Sequence, residues 1–409
     1  MKFLHVADLH FGKTLLGKSL LSDQRDWAEK FIALVKEIRP DAVVVAGDVY
    51  DRAAPAGEAV ELLDRFLTGL LDADGRLSVL LVAGNHDSAS RLAFGADILE
   101  KQRLYIAGKT ARRMKRVVLH DAHGPVSFWL MPFTFPAAIQ QALGAEEEAD
   151  FPRTYTDAVA RYLASQDADS AARNVLVAHQ NVSCNGRAAE PGGSETMVGG
   201  VGGVDAAVFA AFDYVALGHI HKAQAVGRET VRYAGSPLCY HFDEARWPDK
   251  GAVLVELGAK GDISVERIPI APLHPLRVAE GAYEDLVAAE AANPARGEYV
   301  KAVLTDRRVD PSSAEALRAL FAGKGSALLE IVSSFSPFAG SAAAAAGADA
   351  PERTLARKFA GFWTALHGGA EPDEATFALI QKAAEQVEAG RPDPAALVAL
   401  ACRGEEGAG

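Results

Sequence analysis

The chain is short of cysteine, of long apolar runs and of positive charge, and each shortage rules something out. Cys184, Cys239 and Cys402 are the only three thiols in 409 residues. They lie too far apart for a zinc site or a disulfide framework, so a reducing, cytoplasmic setting is the expectation. No apolar stretch approaches the ~20 residues a membrane helix needs, and Met1-Lys-Phe-Leu-His5 begins a strand rather than a signal peptide. Lysine and arginine number 42 against 54 acidic residues, a formal net charge of −12. A chain that grips nucleic acid unaided carries a basic footprint. The substrate is therefore small, or cations and a partner supply the positive charge that a polynucleotide needs.

What is present is a repeated construction. Ala42-Val-Val-Val-Ala46 is a short, β-branched, continuously apolar run that ends in Gly47-Asp48. Such a run reads as a strand buried on both faces, in a sheet covered by helices. Phe3 to Ala7 runs likewise into Asp8-Leu9-His10, and Leu77 to Ala83 into Gly84-Asn85-His86-Asp87. Asn174 to Ala178 runs into His179, and Asp213 to Leu217 into Gly218-His219-Ile220-His221. Ligands of open α/β sheets bind at the carboxyl ends of the strands, and here each strand delivers a metal-binding side chain to that end.

Between the first two strands, Asp23 to Ile38 has apolar residues at helical spacing (Trp27, Phe31, Leu34, Val35, Ile38) and stops before Pro40. Strand, helix, strand is a parallel unit. A second helix is expected over Gly57 to Leu71, another over Thr154 to Ser165, and short antiparallel strands from Val226 to Pro269. Asn185 to Gly203 is rich in glycine and polar residues and reads as a loop. The prolines at 269, 272 and 275 mark a boundary. The expected organisation is a metal-binding α/β domain over 1–272, a small α/β cap over 273–335, an Ala/Gly/Ser linker over 336–352 and a helical segment over 353–409. The last is either a decoration folded back on the body or an element that docks on another protein's helices.

Singly, each ligand candidate is weak, since Asp at a strand end often caps a turn. Jointly, Asp8, His10, Asp48, Asn85, His179, His219 and His221 suit two divalent ions that share a carboxylate. Asp8 and His10 are two apart, as are His219 and His221, so each pair points one way from extended backbone. Two cations ~3.5–4 Å apart clamp the attacking and leaving oxygens of an in-line phosphoryl displacement. Mixed nitrogen and oxygen donors without thiolate favour Mn2+ or Fe2+ over a structural zinc. His86, beside a ligand, can donate a proton to a leaving oxygen. His5 reads as a packed strand residue; His120, His123, His274 and His367 fall in surface stretches.

Asp8-x-His10, Gly47-Asp48-x-x-Asp51-Arg52, Gly84-Asn85-His86-Asp87, His179 and Gly218-His219-x-His221 resemble the five blocks of the calcineurin-like metallophosphoesterase superfamily. Ala7 to Gly12, Gly17 to Arg25 and Arg232 to Leu238 resemble, within it, the SbcD-type nuclease subunits of SbcCD exonucleases. The resemblance implies a two-sheet sandwich of mixed sheets flanked by helices, with a small α/β cap and C-terminal helices. It also implies a Mn2+-dependent nuclease acting on double-stranded DNA ends and hairpins in repair and recombination. The implied partner is an SbcC-like ATPase with a coiled coil, met through the C-terminal helices, and homodimers are implied too. One metal would be held by Asp8, His10, Asp48 and His221, the other by Asp48, Asn85, His179 and His219. Catalysis would fall to His86, oriented by Asp51, with Arg52 on substrate phosphate.

Three rivals stand beside this reading. Gly12-Lys-Thr-Leu-Leu-Gly-Lys-Ser19 satisfies the P-loop pattern, but a P-loop follows its strand directly and opens a helix. A phosphoesterase acting on a small nucleotide keeps the chemistry and suits the acidic charge. A scaffold that has lost its ligands is the third, against which all the ligand positions are filled.

Overall fold

The structure, a computed structural model, describes residues 1–193, 203–294, 297–335, 356, 360, 363 and 370–388. The first parallel unit forms as its pattern requires. Strand β1 (Lys2–Val6) leads through helix α1 (Leu21–Ile38) to β2 (Ala42–Ala46), then through α2 (Gly57–Ala73) to β3 (Ser78–Val82) and on to β4 (Leu104–Ala107). Helix α1 starts at Leu21 and ends on Arg39, which takes the left-handed conformation at φ 51° before Pro40. It buries Trp27, Ala28, Phe31 and Val35, one stripe at helical spacing.

The chain then builds a second sheet from β5 (Lys115–Asp121), β6 (Gly124–Met131), β7 (Arg173–His179), β8 (Tyr214–Gly218), β9 (Gln224–Val226) and β10 (Arg228–Tyr233). Helices α3 (Pro136–Leu143) and α4 (Tyr155–Ala164) fall between β6 and β7. Strands β11 (Gly251–Leu257) and β12 (Ile263–Pro269) return to the first sheet. The six-stranded orders are β12-β11-β1-β2-β3-β4 and β9-β10-β8-β7-β6-β5. β1, β2, β3 and β4 pair in parallel, as do β6, β7, β8 and β10, while β11 runs antiparallel to β1.

Period-two alternation explains why the central strands are apolar throughout. Leu4, Val43, Val45, Val79 and Leu81 pack under α1 and α2, whereas Phe3, Val44, Leu80, Phe128, Val175 and Val177 fill the layer between the sheets. The outer face of the second sheet carries Leu176, Val215 and Leu217 against Ile139, Val159 and Tyr162 of its helices. The result is the expected α/β sandwich of two mixed sheets flanked by helices.

Beyond the prolines stands a three-stranded sheet, β13 (Leu276–Gly281), β14 (Tyr299–Leu304) and β15 (Ala327–Ser333), with helices α5 (Tyr283–Ala292) and α6 (Pro311–Ala322). Two compact units divide the chain, one of Met1–Val303 with Val309–Val332, the other of Leu304–Arg308 with Ser333–Gly409. The second contains helix α7 (Glu374–Glu388), whose Ile380 and Ala384 are buried with Ala356. The expected linker over 336–352, the stretch 194–202 of the glycine-rich loop, and His367 lie outside the described residues. No helix among the described residues is long and apolar enough to cross a membrane.

The P-loop reading fails on backbone geometry. Thr14–Leu15 and Lys18–Ser19 pair antiparallel around Leu16 and Gly17, both at positive φ (48° and 82°). That is a two-residue hairpin turn, not a cradle opening on a helix. His274, in its surface stretch, is 28% exposed and is held by partners. Its Nδ1 lies 2.7 Å from Asp23 Oδ1, and its ring stacks on Tyr299. His120 and His123 are exposed.

His5 is a polar rivet between the sheets. It is fully buried, with Nδ1 3.0 Å from the Tyr214 hydroxyl and Nε2 3.2 Å from the Leu217 carbonyl oxygen. Burial, then the Arg232 guanidinium, push its pKa down to about 3 from 6.5. The unfolded chain therefore takes up a proton that the folded chain refuses. Stability is full above about 6.5 and falls as pH drops from there towards 3. Urea unfolding should show a shallower loss of stability over that acid window in His5→Gln than in wild type, and no difference in slope above it.

Candidate metal centre

The strand ends of both sheets meet. β1, β2 and β3 bring Asp8, His10, Asp48 and Asn85 from one sheet; β7 and β8 bring His179, His219 and His221 from the other. The loops beyond β1 and β2 stay zipped, with the amides of Asp8, His10 and Phe11 donating to the carbonyls of Gly47, Asp48 and Val49 at 2.9–3.0 Å. This zipping forces unusual backbone. Asp8 (φ 55°), His10 (44°), Asp48 (48°) and His219 (112°) all sit in the region L side chains avoid. Strain of this kind persists only where the surroundings over-determine it, and it gathers at functional sites.

Two glycines make room for the carboxylate at the centre. A Cβ on Gly84 would lie 2.0 Å from Asp48 Oδ1, and one on Gly47 2.3 Å from His179 Nδ1. Asp48 accepts from the His86 amide at 2.9 Å through Oδ1. Its Oδ2 faces both ways, 3.6 Å from His10 Nε2 and 3.3 Å from His179 Nε2.

Two donor groups flank that oxygen. On one side His10 Nε2 and His221 Nε2 are 3.2 Å apart, and Asp8, His10 and His221 each offer an atom within 4.8 Å of the others. On the other side Asn85 Oδ1 lies 3.0 Å from both His179 Nε2 and His219 Nδ1. Asp8, Asp48 and His179 form a further group within 4.8 Å. Asp8, His10, Asp48, His179 and His221 are buried. Buried imidazole nitrogens and carboxylate oxygens that converge on one another, rather than on separate partners, are the donor chemistry of a divalent cation pair. The residues fit the group.

The same crowding sets the protonation states. Burial pushes Asp8 up to about 6 and His10 down to about 4. Burial opposes the charge on His179 too, but the Asp48 carboxylate prevails and raises it to about 9. Asp48, which burial would raise, is held well below the usual carboxylate range by His179, His10 and His86.

The remaining expected residues are close by. His86 Nδ1 lies 3.0 Å from the Asp51 carbonyl oxygen, and a carboxylate oxygen of Asp51 falls within 4.8 Å of ring nitrogens of both His86 and His10. That carboxylate accepts from Lys13 Nζ at 2.7 Å and stands 3.6 Å from His10 Nδ1. Arg52 is 78% exposed beside it. His241 is exposed and caps the turn Phe242–Arg246.

Several supporting residues escape sequence reasoning. Asp87 accepts from the amides of Gly84, Val49 and Tyr50 at 2.8–3.1 Å, binding the β2 and β3 loops together; its place in the Asn85-His86 block was the one available signal. Glu244, with no exposed surface, accepts from Lys250 Nζ at 2.7 Å and from Ser236 Oγ at 3.2 Å, and its Oε1 lies 3.3 Å from His221 Nδ1. Lys250 Nζ also donates to the His221 carbonyl at 2.8 Å. A carboxylate behind a histidine fixes ring and tautomer for the nitrogen that faces a metal.

Sequence comparison matches residues 1–223 to the family described as Calcineurin-like phosphoesterase. The chain is similar to the SbcD subunit of the nuclease SbcCD of Staphylococcus saprophyticus, 35% identical over 289 residues, 70% of this chain and 73% of that one. It is likewise similar to the SbcD subunit of the nuclease SbcCD of Staphylococcus epidermidis, 30% identical over 292 residues, 70% of this chain and 74% of that one. Among solved structures, a dimetal phosphatase from Danio rerio aligns with a TM-score of 0.36 at 13% identity, covering 67% of this chain and 98% of that one.

Gly84→Ala should drive Asp48 from its place and abolish divalent-metal content, measured by plasma mass spectrometry, with circular dichroism unchanged. Gly75→Ala, where a Cβ meets nothing within 4 Å, should keep it. Glu244→Gln leaves the Lys250 ammonium buried without a counter-charge and should cost about 3–5 kcal/mol of stability, read by urea unfolding.

Proposed function

Since the chain belongs to the calcineurin-like phosphoesterase family and is a metal-dependent phosphodiesterase, we propose that it is the nuclease subunit of a DNA-end-processing complex. The substrate would be double-stranded DNA ends and hairpins, in repair and recombination. The observation that carries the reading is the single oxygen of Asp48 set between two donor groups, in a chain similar over 70% of its length to proteins named as nuclease subunits. Asp8, His10, Asp48 and His221 would hold one divalent cation, and Asp48, Asn85, His179 and His219 a second. Mn2+ suits these mixed donors, and the pair would supply positive charge and an activated water for in-line attack at phosphorus.

The chain's own groups do the rest. His86 Nδ1–H donates to the Asp51 carbonyl at 3.0 Å, which leaves Nε2 to deliver a proton to the leaving oxygen when the ring is charged. Lys13 holds the Asp51 carboxylate and so steadies the loop from which that carbonyl comes. Arg52, exposed at the end of the same loop, would meet a substrate phosphate. The net charge of −12 is overcome locally by the cations and globally by a partner. We assign that role to an SbcC-like ATPase with a coiled coil, docked through segment 353–409, in the cytoplasm, with the nuclease chains as a homodimer.

Linear duplex, hairpin and mononucleotide phosphodiester substrates, digested side by side with Mn2+ and with or without the ATPase, test the assignment. Cleavage of duplex and hairpin is expected, faster with the partner. Hydrolysis of the small diester with both DNA forms intact would transfer the chain to small-molecule chemistry. His86→Ala should retain both metals while turnover falls about 10²–10⁴-fold, the contribution of a positioned general acid; loss of metal would make His86 a ligand instead.

A further inference from the structure

The stretch Gly17 to Arg25 has no part in the chemistry above, yet Asp23 and Gln24, in the first turn of α1, are only 2% and 1% exposed. Polar side chains so deeply placed are there for partners. Gln24 attends the strained loop. Its Nε2 donates to the carbonyls of Leu9 and His10 at 3.4 and 2.7 Å, and its Oε1 accepts from the Gly12 amide at 2.9 Å. One side-chain amide thus brackets His10 on both sides.

Asp23 attends the small sheet instead. Its carboxylate accepts from His274 Nδ1 at 2.7 Å and from the Tyr299 hydroxyl at 3.1 Å. The two rings stack at 4.7 Å and 23°, and Lys18 Nζ lies 5.8 Å over the Tyr299 ring. Tyr299 opens β14, and His274 stands in the proline-rich connection that leads to β13.

We propose that Asp23 and Gln24 are positioning residues that tie the seating of the β13–β15 sheet to the shape of the cation pocket formed by Asp8, His10, Asp48 and His221. The inference rests on the metal-dependent reading given above. Its physical basis is adjacency on a rigid element. Consecutive α-carbons stay 3.8 Å apart, and α1 is a helix of 18 residues, so a shift of the small sheet that drags Asp23 also drags Gln24. Gln24 in turn holds the His10 carbonyl. A strained loop keeps its shape only through such outside restraints, and outer partners of metal ligands commonly govern affinity by 10–100-fold.

The test is Mn2+ binding to the full-length chain without DNA, by calorimetry and electron paramagnetic resonance, alongside thermal unfolding. Wild type should bind two ions. Gln24→Ala should weaken one of them by about 10–100-fold and spare the other. His274→Ala and Tyr299→Phe, which touch no donor, should weaken that same site by a smaller factor. His274→Gln, which keeps a side-chain N–H for Asp23, should restore it. A lowered unfolding temperature in His274→Ala with both affinities at wild-type values would overturn the coupling and leave the metal reading intact. Two wild-type sites in Gln24→Ala would do the same, whereas a wild-type chain that binds no Mn2+ would overturn both.

Discussion

The carboxylate of Asp48 is the constraint to which the rest of the molecule conforms. One oxygen accepts from the His86 amide, and the other stands 3.6 Å from a histidine of one sheet and 3.3 Å from a histidine of the other. To put it there, the β2 strand must end in Gly47, β3 must continue through Gly84, and the two sheets must come close enough for His179 to cross between them. His179 does so while its Nδ1 donates to the Ala46 carbonyl at 2.8 Å, so even the ring that reaches Asp48 is anchored on the strand that carries Asp48.

This arrangement trades stability for chemistry. Burial pulls Asp8 towards its neutral form and His10 away from its charged one, and four of the donor residues hold left-handed backbone. Each is a cost that an ordinary core avoids. The compensation is distributed: Asp87 staples the β2 and β3 loops, Glu244 and Lys250 brace His221 from behind, and Gln24 brackets His10. None of these supports is itself one of the seven expected donors, and each is at most 9% exposed.

That division also explains what could be read from the residues and what could not. The central strands were legible because a strand buried on both faces must be apolar at every position, and the donors were legible because each follows such a strand directly. The helix-covered parallel strands and the set of side chains at their ends follow from that local pattern; the pairing of two sheets into a sandwich came only with the family resemblance. Glu244, Lys250, Gln24 and His274 carry no local pattern. Their roles come from partners 6 to 251 positions distant in sequence, and only the closed structure brings those together. The Gly12–Ser19 stretch is the opposite case: its glycine and lysine spacing fits a phosphate loop, its context spoke against one, and positive φ at Leu16 and Gly17 turns it into a hairpin.

The order of strands in the first sheet has a consequence for synthesis. β1 lies between β2 and β11, and β11 begins at Gly251, long after β1 leaves the ribosome. Throughout that interval the nascent chain presents β1 with one side unpaired, an adhesive template for any other extended segment nearby. Closure over so great a sequence separation is slow. A chain stopped before residue 251 would leave that edge of β1 open, a template for aggregation.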